Sequence, residues 1–157
     1  MRILILSIGR WKRGPQRALY DEYRARLAWP VELRELEERR SLPPAKLKTR
    51  ETELLLAALP SDRARTAVVA LDAGGKPLSS EAFAARLGRW RDEGRTGVAF
   101  LIGGADGLAP AALAAADLTL SLGALTWPHL LVRGMLMEQL YRAQQILVGH
   151  PYHRGGV

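Results

Sequence analysis

Gly97-Val98-Ala99-Phe100-Leu101-Ile102-Gly103-Gly104-Ala105-Asp106-Gly107 runs an unbroken apolar segment straight into a glycine-rich turn. An apolar run of strand length with no polar alternation predicts a strand covered on both faces, as in a parallel sheet flanked by helices. The pattern recurs outward from it. Thr66 to Leu71 is a second such run, followed by Asp72-Ala73-Gly74-Gly75-Lys76-Pro77. Leu118 to Leu122 is a third, followed by Gly123-Ala124-Leu125-Thr126-Trp127-Pro128, and Ile3 to Ile8 is a fourth, closed by Gly9. Val31, Leu33 and Leu36 form a charged strand expected near a sheet edge.

Helical spacing fills the intervals. Arg13 to Ala28 carries Leu19, Tyr20, Tyr23 and Leu27 on one face, Pro43-Pro44 opens a helix to about Leu59, and Ser79 or Ser80 caps one that ends at Gly94. A short alanine-rich helix begins near Pro110, and a long one runs from His129 to Val148. Strands alternating with helices predict an α/β sandwich with a mostly parallel sheet, in a single domain over residues 1–157.

The last helix has Leu130, Leu131, Val132, Met135, Leu136, Met137, Leu140, Ala143, Ile146 and Leu147 around most of its circumference. Such a helix must be covered on several sides, which predicts a homodimer contact along it. Glu in place of Leu136 or Leu140 is expected to unfold or monomerise the protein.

Composition narrows the chemistry. Cysteine is absent, so disulfides and thiolate metal sites are excluded. His150 and His153 lack a third ligand nearby, and no metal is expected. The formal charge of +7 points to a polyanionic partner, against the plainer reading of a coding bias toward arginine. The first apolar segment is too short for a signal peptide and no run approaches a membrane span, so a cytoplasmic protein is expected.

Three glycine-bearing loops follow carboxyl ends of strands, where open α/β sheets bind ligands. Neither nucleotide fingerprint is present: Gly103-Gly104-x-x-Gly107 has the wrong spacing for a dinucleotide site, and Gly74-Gly75-Lys76 precedes Pro77 rather than Ser or Thr. Glu138 and Arg142, four apart, form either an ordinary intrahelical ion pair or a functional group. The tail His150-Pro151-Tyr152-His153-Arg154 offers Tyr152 for stacking on a base and Arg154 for a phosphate. These features alone also fit a non-catalytic RNA-binding protein or a small nucleotide-binding enzyme.

The segments Leu101-Ile102-Gly103-Gly104-x-Asp106-Gly107-Leu108, Ser121-Leu122-x-Ala124-Leu125-Thr126-x-Pro128-His129-x-Leu131-Val132-Arg133, Glu138-x-Leu140-Tyr141-Arg142-Ala143 and His150-Pro151-Tyr152-His153-Arg154 closely resemble the RlmH family. These are bacterial 23S rRNA pseudouridine N3-methyltransferases, minimal members of the SPOUT class. The resemblance implies a SPOUT-type sandwich with a carboxyl-terminal trefoil knot, an exception among folds. It implies that S-adenosyl-L-methionine is held by Leu71, Gly103, Gly104, Leu122, Gly123, Ala124, Leu125, Thr126 and Trp127. It also implies a homodimer with a composite site, the tail of one protomer reaching the cofactor of the other, and 23S rRNA of the ribosome as substrate. N3 of pseudouridine must lose a proton before it is methylated. His129, Glu138 and His153 are candidates for that proton, and Arg142, Arg154 and Arg133 for the anion or a phosphate. Residues 155–157, beyond Arg154, are expected to affect how the tail seats.

Overall fold

The computed structural model describes residues 1–155; the expectation for Gly156 and Val157 lies outside the described residues. Five strands, β1 (Arg2–Ile8), β2 (Val31–Leu36), β3 (Thr66–Pro77), β4 (Gly97–Ile102) and β5 (Leu118–Ser121), form one sheet in the order β2-β1-β4-β3-β5. Every pairing is parallel. The helices are α1 (Pro15–Arg26), α2 (Pro44–Ala57), α3 (Ser80–Asp92), α4 (Pro110–Ala115) and α5 (His129–Leu147), with a closing 3-10 turn over Pro151–Gly155. The charged strand β2 is at an edge, as its alternating polarity requires.

Period-two alternation sends successive strand residues to opposite faces, which makes two cores. Ile3, Ile5, Val69, Phe100 and Ile102 pack under Tyr20, Phe83, Leu87 and Trp90 and under α5. Leu4, Leu6, Val68, Ala70 and Leu101 face Leu55 of α2, Leu108 and Ala112 of α4. The long helix α5 lies against both α1 and α3. Ser79 caps α3 by accepting the Ala82 N–H, with Glu81 in the first turn where the helix dipole favours a carboxylate.

Two expectations change. Asp72 to Pro77 is not a free loop: β3 shifts register between Leu71 and Lys76 and then continues beside β5, pairing Lys76 with Leu120 and Pro77 with Ser121. A Cβ on Gly75 would stand 2.7 Å from the Thr119 carbonyl, so glycine is needed there for close strand approach. Leu136 and Leu140 are each 0% exposed within their own chain. A charge at either position therefore breaks the protomer's core rather than an interface. The incompletely covered residues of α5 are others, among them Leu131 and Met135.

Candidate active site

The carboxyl ends of three neighbouring strands stand level. Leu71 pairs with Ile102 of β4 on one side and with Leu120 of β5 on the other. Leu71, Gly103, Gly104 and Leu122 therefore gather at one place, where β4 and β5 end and β3 shifts register. Gly103 is buried and its loop doubles back, with Gly104 bridged to Gly107. A Cβ on Gly104 would press on Ile8 and, at 2.8 Å, on Glu51 Oε2. Glu51 reaches this loop from α2, and burial followed by the charge of Asp106 raises its pKa. Sequence reading missed it because no local spacing links α2 to residue 104.

The loop after β5 is an open hoop. Ser121 Oγ–H donates to Gly123 O, and the Trp127 indole N–H donates to Leu122 O at 3.3 Å. Ala124, Leu125, Thr126 and Trp127 are exposed, Leu125 by 69%, although two of them are large and apolar. Leu122 and Gly123 also border a hollow of about 540 Å³. Its walls include Leu78, Phe83, Met135 and Tyr23, and Glu138 is its charged member.

At the start of α5, His129 lies beside Gly9, where a Cβ would be 3.1 Å from its Nε2. Gly9 has φ +90, a conformation that glycine adopts without strain. Burial first, and then the charge of Arg133, lower the His129 pKa, so the ring is neutral at pH 7 and one nitrogen can accept a proton. His129, Gly9, Gly104 and Ala105 line a second hollow of about 360 Å³.

Arg133, a candidate for holding an anion, is unavailable for it. The side chain is fully buried and donates to Ser7 Oγ at 2.8 Å, Glu35 Oε1 at 2.8 Å, Ile8 O at 3.0 Å and Gly9 O at 2.7 Å. Its guanidinium also lies 4.7 Å from the Trp11 ring centroid. This arginine ties α5 to the ends of β1 and β2, and no donor is aimed outward.

Further along α5, Glu138 gathers the remaining candidates. Arg142 donates to Glu138 Oε1 through Nε at 3.0 Å and Nη2 at 2.6 Å, and Gln139 donates to Oε2 at 2.7 Å. The Tyr152 hydroxyl reaches Oε1 at 3.2 Å. The Tyr152 ring is edge-on to Tyr141 at 4.7 Å, and the Arg142 guanidinium lies 5.0 Å from its centroid. Burial, then the contacts with Tyr23 and Glu138, raise the Tyr152 pKa and keep the phenol protonated near neutrality. The hydrogen bond to Glu138 chiefly raises that of Arg142. His153 Nε2 stands 2.6 Å from Glu81 Oε1, whose pKa falls to about 2 through its backbone hydrogen bond first and His153 second. Arg154 is exposed.

The candidates thus form two groups in one chain. His129 with Gly9 and the Gly104 loop is one; Glu138, Arg142, Tyr152 and His153 are the other, and Leu122 and Gly123 of the hoop border the hollow of the second. The two groups are separated by nine residues of helix, about 13 Å of rise. Tyr23, Tyr141 and Gln139 complete the second group; the sequence marked Tyr23 only as a helix-face residue and Tyr141 only as part of the motif of the resemblance. Among the described residues, no group of three His, Cys, Asp or Glu is placed to hold a metal ion, and no helix is long and apolar enough to cross a membrane.

The comparisons with known proteins cover the whole of this layout. A family profile described as a predicted SPOUT methyltransferase matches residues 1–153. The chain is 55% identical over 154 residues to the "Ribosomal RNA large subunit methyltransferase H" of Rhodospirillum centenum, covering 98% of this chain and 99% of that protein. It is 54% identical to the protein of that name from Paramagnetospirillum magneticum, at the same coverage. The one from Gluconacetobacter diazotrophicus is 50% identical over 152 residues, 97% of each chain. Among solved structures, the SpoU methyltransferase AviRb from Streptomyces viridochromogenes in complex with AdoMet is a loose match. Its TM-score is 0.45 at 14% identity, over 93% of this chain and 58% of that one. By sequence and over its length, this chain belongs to the SPOUT methyltransferase family, in the branch of the ribosomal RNA large subunit methyltransferases H.

Proposed function

We infer that the chain methylates N3 of a pseudouridine in 23S rRNA of the large ribosomal subunit, with S-adenosylmethionine as donor. It works as a cytoplasmic homodimer on the assembled ribosome. The observation that carries this is end-to-end identity of 50–55% to proteins named for large-subunit rRNA methylation.

The residues fit the donor. Leu71, Gly103, Gly104 and Leu122 converge at one sheet edge, and the hoop from Gly123 to Trp127 offers backbone groups with the apolar Leu125 and Trp127 beside them. Such a mixture suits a nucleoside with a charged tail. When bound, S-adenosylmethionine supplies an electrophilic methyl group on a sulfonium centre. The chain's own work is to position the base and to take the N3 proton. His129, neutral and beside the glycine loops, is suited to accept it. Glu138 is suited to orientation, since Arg142, Gln139 and Tyr152 already occupy its oxygens.

A dimer joins the two groups. The exposed Leu125 and Trp127, the half-buried Leu131 and Met135, and the apolar hollow beside α5 favour a second copy packing there. The tail group of one protomer then meets the His129 group of the other. The trefoil knot, with α5 passing through the chain, belongs to the same reading.

Mixing two defective subunits tests it. One lacks residues 150–157; the other carries Ala124→Trp, a bulky group on an exposed hoop residue that spares the core. A heterodimer restores one complete site, so partial methyl transfer returns. Proven heterodimers without activity would show that each tail serves its own chain.

A further inference from the structure

Two segments leave the carboxyl edge side by side, Gly9-Arg10-Trp11-Lys12-Arg13-Gly14 after β1 and Glu37-Glu38-Arg39-Arg40-Ser41 after β2. Their backbones are held together. Ile8 pairs with Leu36, the Gly9 N–H donates to Leu36 O at 2.9 Å, and the Trp11 N–H donates to Glu35 Oε1 at 2.6 Å. Arg10 and Glu37 add an ion pair at 3.3 Å. The Trp11 ring is fixed from behind by Arg133 and by Tyr20, 5.6 Å away between centroids. The joined segments border the hollow that holds His129, Gly104 and Arg40.

The carboxylates carried by the two segments and by the end of β2 are engaged, while Glu51 stands across the hollow beside Gly104. Glu35 holds Arg133, Glu37 holds Arg10, and Glu38 holds Arg40 and Arg50. Lys12, Arg13 and Arg39 are exposed, with no carboxylate in ion-pair distance among the described residues. A merely solubilising charge needs no anchored backbone. Here three cations are carried on a braced double loop at the rim of the candidate site.

We propose that this rim binds backbone phosphates of the RNA strand flanking the target nucleotide, with Lys12, Arg13 and Arg39 as the contacts. It rests on the reading of the chain as an rRNA methyltransferase. Arginine's planar fork suits phosphate, and such contacts set the register of the strand without reading its sequence. Each phosphate neutralised releases counterions, so binding through the rim weakens with salt.

The test uses the full-length chain and assembled ribosomes, and reads binding as a function of salt beside methyl transfer. The triple variant Lys12→Ala, Arg13→Ala, Arg39→Ala should raise Kd at least about tenfold at ~0.1 M salt. The slope of log affinity against log salt should fall by about 2, at ~0.7 per single-strand contact. Affinity for S-adenosylmethionine should stay within about twofold, because the rim lies outside the cofactor residues. The control is Arg89→Ala, an exposed cation near the far end of α3. Unchanged affinity and slope in the triple variant, or an equal loss in the control, would overturn the rim. Failure of the wild type to transfer methyl would count against the methyltransferase reading alone, since the rim is read from binding.

Discussion

Tyr152 and Glu138 share a hydrogen bond of 3.2 Å between the phenol and Oε1, which fastens the tail to the middle of α5. The same oxygen receives the Arg142 guanidinium, so one carboxylate sets the direction of an aromatic ring and of a cation. The tail is an ordered part of the candidate site, seated by groups 14 residues earlier in the chain.

Glu138→Gln should therefore disorient both partners. The amide keeps the shape but loses the charge that holds Arg142, and with its carbonyl toward Arg142 and Tyr152 its NH2 faces the Gln139 amide that donates to Oε2. We expect kcat to fall by roughly tenfold or more, about 1.4 kcal/mol. Because the pair is partly exposed, unfolding stability should change by less than about 1 kcal/mol. Tyr152→Phe should reproduce a smaller part of the loss. Steady-state kinetics with chemical denaturation separates the two effects, and a large stability change with normal kcat would make the cluster purely structural.

Arg133 makes the opposite prediction. Arg133→Met removes the guanidinium that holds Glu35, Ser7 and the end of β1, and should cost about 3–5 kcal/mol. Lysine should not rescue it, because an ammonium cannot match four acceptors spread across a planar fork. Urea denaturation of both variants checks this; a Lys variant as stable as the wild type would show that charge alone suffices.

These two residues mark what a sequence can and cannot show. The strands and helices were legible because apolar runs and helical spacing are local signals. The loops at residues 103–107 and 122–128 were legible from their glycines and their place after strands. The role of Arg133 was not, since its partners Ser7, Glu35 and Gly9 lie about a hundred residues away and only the parallel register brings them together. The bulge in β3 was hidden for the same reason: Gly75 reads as a turn residue until Thr119 is placed against it. Glu138 and Arg142 were legible as a pair, whereas Tyr23 looked like an ordinary helix-face aromatic.

His129 should leave its mark on pH dependence. Its depressed pKa places the acid limb of kcat/KM below the ordinary value of about 6.5, with activity requiring the neutral ring. The same shift is linked to stability. Between the folded pKa and about 6.5 the unfolded chain binds the extra proton, so stability is full above 6.5 and declines as pH falls through the folded pKa. His129→Gln should flatten that decline and lower kcat by roughly 10²-fold or more. An acid limb above 6.5, or full activity without the imidazole, would remove His129 from proton transfer.

Gly75→Ala should separate structure from ligand binding in the β3 extension. The added methyl meets the Thr119 backbone at 2.7 Å and should cost about 1–3 kcal/mol or more, whether or not cofactor is present. Gly74→Ala is the contrast. Its Cβ meets only the Asp72 side chain, at 3.2 Å, and stability should move by no more than about 0.5 kcal/mol. Thermal melts of both, with and without S-adenosylmethionine, decide the point; equal melting temperatures would mean the β3–β5 pairing tolerates a side chain.

Assembled ribosomes lacking the modification are incubated with the chain and methyl-labelled S-adenosylmethionine, and the labelled nucleotide is then mapped and its methylated atom determined by mass spectrometry. The expected result is a single methyl group on N3 of one pseudouridine in 23S rRNA, with none on that site when pseudouridine is replaced by an N3-blocked base. A methyl group on a ribose oxygen, on other nucleotides, or on none would contradict it.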